Sequence, residues 1–420
     1  MKIAIIGSGG REHALAATIS KSSKINEIFC IPGNAGTSKI AINVELDINE
    51  FDKVQKFIND NSIDLVVIGP EQPLVNGIVD YLEKFNIKVF GPNKISSQLE
   101  GSKIFTKKLC QEYNIPTANF GIFENRIDAK KFLENSNYPN VIKADNLAAG
   151  KGVYICNNKR ESLMAVQEIF DGKFGEAKNV LIEEFLEGEE MSYFIISDGT
   201  TIKSFETAQD HKRVLEGDNG KNTGGMGAYS PSRLINNELE DKILSKIIKP
   251  TVKGLKNLGT EYKGFLYAGL MIVENEPYLI EYNVRMGDPE CQTILPKLKT
   301  DLLEIIEACC DKKLADINIE WTNKKSLCVV LCSKGYPDTY QKNILINNLE
   351  NFNLDENNFI FHAGTKKEND EIYAIGGRVL NFISLSDNFL QARDEVHQSL
   401  KKLDWNGGFY RRDIGFKVIN

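Results

Sequence analysis

Excess positive charge is missing from this 420-residue sequence: 51 Lys and Arg stand against 58 Asp and Glu, a formal net charge of −7. Nucleic-acid binders usually carry a basic footprint, so that class is disfavoured, and any phosphate must be held in a local pocket. No apolar run approaches the ~20 residues of a membrane span. The opening MKIAIIGSGG is too short an apolar stretch for a secretory leader and offers no small-residue cleavage site. The expectation is a cytoplasmic protein that binds neither membrane nor nucleic acid. None of the eight cysteines forms a CxxC pair, which argues against a zinc ribbon or a redox motif. They are expected to be reduced core residues rather than a disulfide framework. Four dispersed histidines suggest no metal cluster.

What is present is ordinary globular composition, 42% hydrophobic and 26% charged, in a chain long enough for two to four domains. Up to about residue 100, apolar runs at Ile3–Ile6, Ile28–Ile31, Leu65–Ile68 and Val89–Phe90 alternate with helical patterns such as 12–20 and 50–59. That alternation predicts a doubly wound parallel sheet. A helix is expected from about 103 to 113. The pattern then changes to a small α+β lobe over 120–190. Longer strands follow at 193–197, 267–273 and 278–283, with helices expected at 238–258 and 299–310. A strand at 326–332 opens a small, turn-rich terminal domain. The expected division is 1–102, 103–325 (with 120–190 as a separate small lobe) and 326–420.

Two glycine loops invite familiar readings that fail. Gly7-Ser8-Gly9-Gly10-Arg11-Glu12-His13 follows a strand and opens a helix, the setting of an anion site. A dinucleotide fingerprint needs glycine where Glu12 stands, and an acidic residue ending the second strand, which instead ends Ile31-Pro32-Gly33-Asn34. A nicotinamide enzyme is therefore disfavoured. Ala148-Ala149-Gly150-Lys151-Gly152 lacks the Ser or Thr after lysine that a Walker loop uses to hold magnesium.

Other residues suit phosphate chemistry jointly, though singly each could be a solvated charge or an ordinary turn. Lys143 ends a strand, and Lys151 follows within a Gly/Ala loop. The strand 180–183 runs into Glu184-Phe185-Leu186, whose backbone could meet an adenine edge, with Glu189 and Glu190 beyond. Glu281 and Asn283 lie two apart on one strand and so share a face, an oxygen pair suited to Mg²⁺. Arg285 continues that face and could neutralise a transferred phosphoryl group. Gln209-Asp210-His211-Lys212-Arg213 and the turn Asn222-Thr223-Gly224-Gly225-Met226-Gly227 stand close in sequence.

These residues carry a resemblance. GSGGREHA (7–14), PGNAGT (32–37), GPEQPLVNG (69–77), QLEGSK (98–103), KADNLAAGKGV (143–153), IEEFLEGEE (182–190), AQDHKR (208–213), NTGGMGAYSP (222–231), YAGLM (267–271) and RMGDPECQ (285–292) occur in order. Together they resemble the phosphoribosylamine–glycine ligases, or glycinamide ribonucleotide synthetases, of the ATP-grasp superfamily. The resemblance implies an α/β chain with a Rossmann-like N-terminal domain, a two-lobed ATP-grasp domain and a small β-rich C-terminal domain. It assigns ATP to Lys103, Lys143, Gly150, Lys151, Gly152, Glu183, Glu184, Phe185, Leu186 and Glu190. A metal, Mg²⁺ or Mn²⁺, falls to Glu281 and Asn283. Substrate falls to Gly9, Gly10, Arg11, Asp210, His211, Lys212, Gly225, Met226 and Arg285, with Arg285 and Lys143 also catalytic. Asn146 stands where the family commonly has glycine.

The implied reaction joins glycine to 5-phosphoribosylamine through glycyl phosphate, releasing ADP and phosphate, in de novo purine biosynthesis. No nucleophilic side chain is required, in keeping with the lack of a convincing Ser/His/Asp set. The implied enzyme is a monomer, and a transient contact with the upstream amidotransferase is left open. Another ATP-grasp carboxylate–amine ligase would share the metal and hinge motifs. A non-catalytic nucleotide-binding regulator would have little use for Lys143, Glu281, Asn283 and Arg285 together.

Overall fold

The computed structural model describes residues 1–145, 152–175, 179–349, 352, 354–403 and 405–419. Its first sheet contains β1 (Lys2–Gly7), β2 (Glu27–Pro32), β3 (Ile42–Asn43), β4 (Leu65–Ile68) and β5 (Val89–Phe90) in the order β3-β2-β1-β4-β5, all parallel. A parallel sheet is covered on both faces, so its strands must be apolar throughout. Ile3, Ala4, Ile5 and Ile6 are accordingly all fully buried. The chain leaves β1 at Gly7 and enters the helix Gly10–Ile19, and the sheet's order switches at β1, where such folds open a crevice.

The small lobe is an antiparallel sheet of β6 (Phe120–Phe123), β7 (Asn140–Ala144), β8 (Val153–Cys156) and β9 (Val180–Glu184), ordered β6-β9-β7-β8. Helices Arg126–Glu134 and Lys159–Phe170 pack on it around a core of their own that includes Leu133, Ile142, Val166, Ile169 and Ile182. Each helix starts at an asparagine whose side chain accepts a first-turn N–H: Asn125 from Asp128, Asn158 from Glu161.

The remaining strands are β10 (Glu189–Asp198), β11 (Ile202–Asp210), β12 (Arg213–Leu215), β13 (Asn219–Asn222), β14 (Gly227–Ser230), β15 (Lys263–Val273), β16 (Glu276–Asn283) and β17 (Lys325–Ser333). They are followed by β18 (Ile344–Ile346), β19 (Asn358–His362), β20 (Thr365–Glu368), β21 (Glu371–Ala374), β22 (Arg378–Ser386) and β23 (Gly408–Phe409). One sheet runs β16-β15-β10-β11-β14-β17-β22-β19, with β23 beside β17. It crosses residue 325 without interruption, because β14 pairs with β17 in the register Gly227↔Val329 to Ser230↔Ser326. The N-terminal part is tied to the far end of this sheet. Asn34 Nδ2 donates to Ser8 O (2.8 Å) and His362 O (2.9 Å), and His362 N donates to His13 Nδ1 (2.8 Å). Burial lowers His13 to about 3, which keeps that acceptor nitrogen unprotonated.

The expected 238–258 helix is broken. It consists of Asn237–Ile243, a wider π turn at Leu244–Ile248, and Lys249–Asn257. Pro250 has no N–H to offer the preceding turn, which widens around it. The eight cysteines are all free, seven of them buried.

Candidate active site

Strand pairing assembles a lysine cluster. In the antiparallel β7–β9 pair, Val141 lies opposite Glu183, bringing Lys143 of β7 close to that carboxylate. Lys143 Nζ lies 2.8 Å from Glu183 Oε2, and Lys107 Nζ, from the helix Lys103–Glu112, lies 3.0 Å from Oε1. All three residues are at most 4% exposed. Lys107 also donates to Thr117 Oγ1, whose hydroxyl donates to Leu279 O (2.6 Å). Burial pushes the Lys107 ammonium down despite Glu183. Burial also works to raise Glu183, but Lys143 and Lys107 hold it below the usual carboxylate range. Lys103 lies one turn before Lys107 and is likewise pushed down by burial, in the fields of Glu281, Lys143, Asp145 and Glu183. Asp145 fixes that helix start, accepting from Ser102 Oγ (3.1 Å) and Ile104 N (3.1 Å).

The neighbouring hinge is pinned by its own polar groups. Glu184 Oε1 accepts from Asn119 N (2.8 Å) and Nδ2 (2.9 Å), and Glu184 N donates to Asn119 O. Phe185 is 37% exposed at the edge of the small lobe, and Leu186 is half-buried beside it. The Glu183 side chain is spent on the lysines rather than facing outward with its neighbours. Gly152 is buried, its carbonyl accepting from Ala144 N (2.9 Å). Gly150 and Lys151, like Asn146, lie outside the described residues.

On β16 and just beyond it, Tyr282 and Val284 are buried at 2% and 1%, whereas Glu281, Asn283 and Arg285 are partly open. This is the period-two alternation read from the sequence. Glu281 lines a cleft with Glu190, Ser192, Asp210, Lys212 and Tyr267. Lys212 Nζ bonds Glu190 Oε2 (2.8 Å) and feels Glu281 as well. Glu281 thus shares the cleft with Lys212 and acts on Lys103 as well. Among the described residues no three His, Cys, Asp or Glu side chains gather as a metal cluster. Two oxygens from one strand face fit an ion that takes its remaining ligands from phosphates, as Mg²⁺ does.

Arg285 belongs to a second ionic cluster. Its Nη2 donates to Glu100 Oε1 (2.6 Å), its Nε to Glu71 Oε2 (3.2 Å) and its Nη1 to Met286 O (3.3 Å). Those contacts use three of its five N–H bonds. Arg11 Nε donates to Glu12 Oε1 (2.6 Å), and its Nη1 lies 3.9 Å from Glu71. Burial, against Arg285, raises Glu100 to about 7, while Arg285 holds Glu71 down to about 2. Glu12 also closes the first glycine loop: its Oε2 accepts from Gly9 N at 2.6 Å. A Cβ on Gly7, Gly9 or Gly69 would strike that same carboxylate within 3 Å. The missing third glycine is thus replaced by a side chain that fills the turn. Gly9 has no N–H left for an anion, and Gly10 packs on Asn381 and Gln292.

Of the DHK segment, Asp210 and Lys212 reach the cleft and His211 does not. His211 points to the other side, between Tyr229 and Phe416, and its Nε2 accepts from Gly415 N (3.3 Å). Burial and then Arg411 lower it to about 4, so it is a neutral packing residue. Met226 is also turned inward: it is fully buried with Sδ 3.8 Å from Cys332 Sγ, its N–H goes to His211 O and its carbonyl to Val330 N. Asp210 Oδ1 is buried without a hydrogen-bond partner among the described residues. Burial, then Glu290, pushes that carboxyl up.

Sequence reading did not single out Lys107, Glu71 or Glu100. Lys107 had a signal, since it lies four residues after Lys103 on one helix face. The two glutamates arrive from other elements; each stands inside a segment that carries the resemblance, GPEQPLVNG (69–77) and QLEGSK (98–103), with no role of its own assigned there.

Three family models match the chain. They are the phosphoribosylglycinamide synthetase N domain (residues 1–100), its ATP-grasp (A) domain (101–291) and its C domain (326–417). A phosphoribosylamine–glycine ligase of Mesorhizobium japonicum is 46% identical over 100% of this chain and 99% of its own length. One from Caldanaerobacter subterraneus is 43% identical over 99% of each. Among solved structures, the phosphoribosylamine–glycine ligase of Thermotoga maritima superposes with a TM-score of 0.87 at 33% identity, covering 99% of this chain and 100% of that one. A Campylobacter jejuni biotin carboxylase in complex with β,γ-ATP shares the fold at 16% identity, with a TM-score of 0.73 over 97% of this chain and 92% of that one.

Proposed function

Since the chain belongs to the phosphoribosylglycinamide synthetase family, we propose that it joins glycine to 5-phosphoribosylamine at the expense of ATP, giving glycinamide ribonucleotide, ADP and phosphate in purine biosynthesis. It is a ligase that forms a C–N bond. The observation that carries the reading is Glu281, one carboxylate within the fields of both Lys103 and Lys212. The carboxylate that acts on the phosphate-handling lysine therefore also lines the acceptor cleft.

A carboxylate is a poor electrophile, so the acid is activated first. A glycine carboxylate oxygen attacks the γ-phosphorus, the bond to the bridging oxygen breaks, and ADP leaves. The amine of phosphoribosylamine then attacks the acyl carbon of glycyl phosphate; its nitrogen loses a proton and phosphate departs. No protein nucleophile enters, and the work is positioning and charge stabilisation. In this reading Lys103, Lys143 and the 150–152 loop hold the phosphates. Glu184, Phe185 and Leu186 meet the adenine, and Glu190 takes the ribose. Lys107 acts through Glu183, fixing where Lys143 points. Glu281 and Asn283 would hold Mg²⁺ or Mn²⁺, which neutralises phosphate charge when bound. Arg285, with two N–H bonds beyond those already used, faces the transferring group, and Asp210 and Lys212 face the acceptor. Parts 1–102, 103–325 and 326–420 serve as the working division. The reading takes the enzyme as cytoplasmic and monomeric, with a transient contact to the amidotransferase that supplies the amine. No helix among the described residues is long and apolar enough to cross a membrane.

The test is ADP release with ATP and Mg²⁺, adding glycine and freshly generated phosphoribosylamine separately and together. Turnover that needs both supports the reading. Equal release with a different acid or amine would replace the named substrates.

A further inference from the structure

Arg378 opens β22, in the part of the chain that follows the ATP-grasp region, yet its side chain reaches back to the Gly224 turn and the Asp288 loop. Its Nη1 donates to two carbonyls, Gly224 O (2.5 Å) and Asp288 O (2.6 Å), and lies 3.4 Å from Asp288 Oδ1. Two loops 64 residues apart in sequence are thereby held by one guanidinium. Tyr336, also from beyond residue 325, accepts Gly224 N–H on its hydroxyl (2.9 Å). The turn has no room to drift: a Cβ on Gly224 would sit 3.1 Å from Arg378 Cζ. One on Gly225 would meet Pro289 Cδ at 2.5 Å and Asp210 Oδ1 at 2.8 Å. Gly225 also has φ +114°, a conformation that favours glycine.

The turn's amides are already spent inside the protein. Gly224 N goes to Tyr336, Gly225 N to Thr223 Oγ1 (3.0 Å) and Met226 N to His211 O (2.9 Å). Its contribution to a ligand is therefore its position, since it walls the one buried carboxylate oxygen of this cleft left without a partner among the described residues, Asp210 Oδ1. On the other side of the clamp, Ser192 Oγ lies within hydrogen-bond reach of both Glu290 Oε1 (3.2 Å) and Tyr267 Oη (2.8 Å). The charged groups that act on Arg378 include Asp288 and Asp210, whereas those on Lys103 are Glu281, Lys143, Asp145 and Glu183. Arg378 thus belongs to the acceptor side of the site.

We propose that Arg378 is a positioning residue for the second half-reaction: by clamping the Gly224–Gly225 turn to the 288–290 loop it sets Asp210 for the incoming amine, and leaves the ATP half unaffected. This rests on the ligase reading above. The experiment separates the halves. Acyl phosphate formation is read as glycine-dependent scrambling of oxygen between the β,γ-bridge and non-bridge positions of ATP, without amine. The second half is read as KM for phosphoribosylamine and as ADP released per product. Arg378→Ala is expected to scramble within about threefold of wild type and to raise KM for the amine about tenfold or more, the scale of a lost charge-assisted pair. ADP release should exceed product. Arg378→Lys, which keeps the charge but not the two-carbonyl fork, should fall between, and it decides the matter if the alanine variant does not fold. Equal losses in scrambling and in KM for amine and ATP would overturn the proposal, as would no change in any of them. Wild-type enzyme without glycine-dependent scrambling would remove the ligase reading and this proposal with it, an outcome visible before any variant is made.

Discussion

The site contains two ionic clusters built on opposite arithmetic. Around Glu183, two buried ammonium groups share one carboxylate, with Lys103 close by. Around Arg285 and Arg11, the acids Glu12, Glu71 and Glu100 outnumber the guanidiniums, and Asp288 acts on Arg11 as well. Burial therefore bears on opposite partners. In the first cluster it pushes Lys103 and Lys107 down; in the second it raises Glu100 to about 7. In the first cluster Lys107 and Lys143 share a single carboxylate, and in the second burial favours the neutral form of Glu100. The first is rich in positive charge, whereas the hydrogen bonds of the second give Arg285 a rigid mount. Similar side chains do different work because their counts differ.

Removing the shared carboxylate strikes the comparison hardest. Glu183→Ala leaves two buried cations uncompensated, and urea unfolding should show a loss of about 3–5 kcal/mol; a loss below ~1 kcal/mol would mean that the cluster is not buried as described. Arg285→Ala should slow the chemical step roughly 10²–10³-fold, read as a single-turnover burst, and a burst as fast as wild type would demote Arg285 to a structural role. Next is pH. Glu100 in the folded chain keeps its proton up to about 7, above the ordinary value of 4.5. The folded state then binds more protons than the unfolded state between those values, so stability declines as pH rises through that window. Glu100→Gln, which mimics the protonated form, should lose this decline, and wild type should weaken relative to it between pH 5 and 7. Parallel pH profiles for the two would break the contrast. The smallest effect belongs to Glu190, whose bond to Lys212 is half-exposed. Glu190→Gln should change stability by less than ~1 kcal/mol while raising KM for ATP, and an unchanged KM would take the ribose from this residue.

How far the sequence could be read follows from distance along the chain. The spacing of Glu281, Asn283 and Arg285 is local, and period two is enough to place them on one face. The parallel order of the first sheet follows likewise from alternating strand and helix. Glu12 was legible as a broken fingerprint, though not as the group that fills the loop. What was lost is convergence. Glu71, Glu100 and Arg285 meet from three segments, and Arg378 reads in sequence as the start of an ordinary core strand. The side chains of His211 and Met226 turn away from the cleft for a related reason. A motif names neighbours in sequence, but in the link from β11 to β12 Asp210 and Lys212 turn to the cleft and His211 away from it.

The unbroken sheet across residue 325 has a consequence for how the chain can be cut. A fragment ending before β17 would finish its sheet at β14, exposing the backbone donors and acceptors of Gly227–Ser230 that now pair with Ser326–Val329. An open strand edge of this kind recruits any other strand it meets. The sheet also closes only after ~100 residues of intervening chain have been made, so a nascent polypeptide carries that edge bare until its last quarter emerges, and chaperone demand during synthesis should peak there.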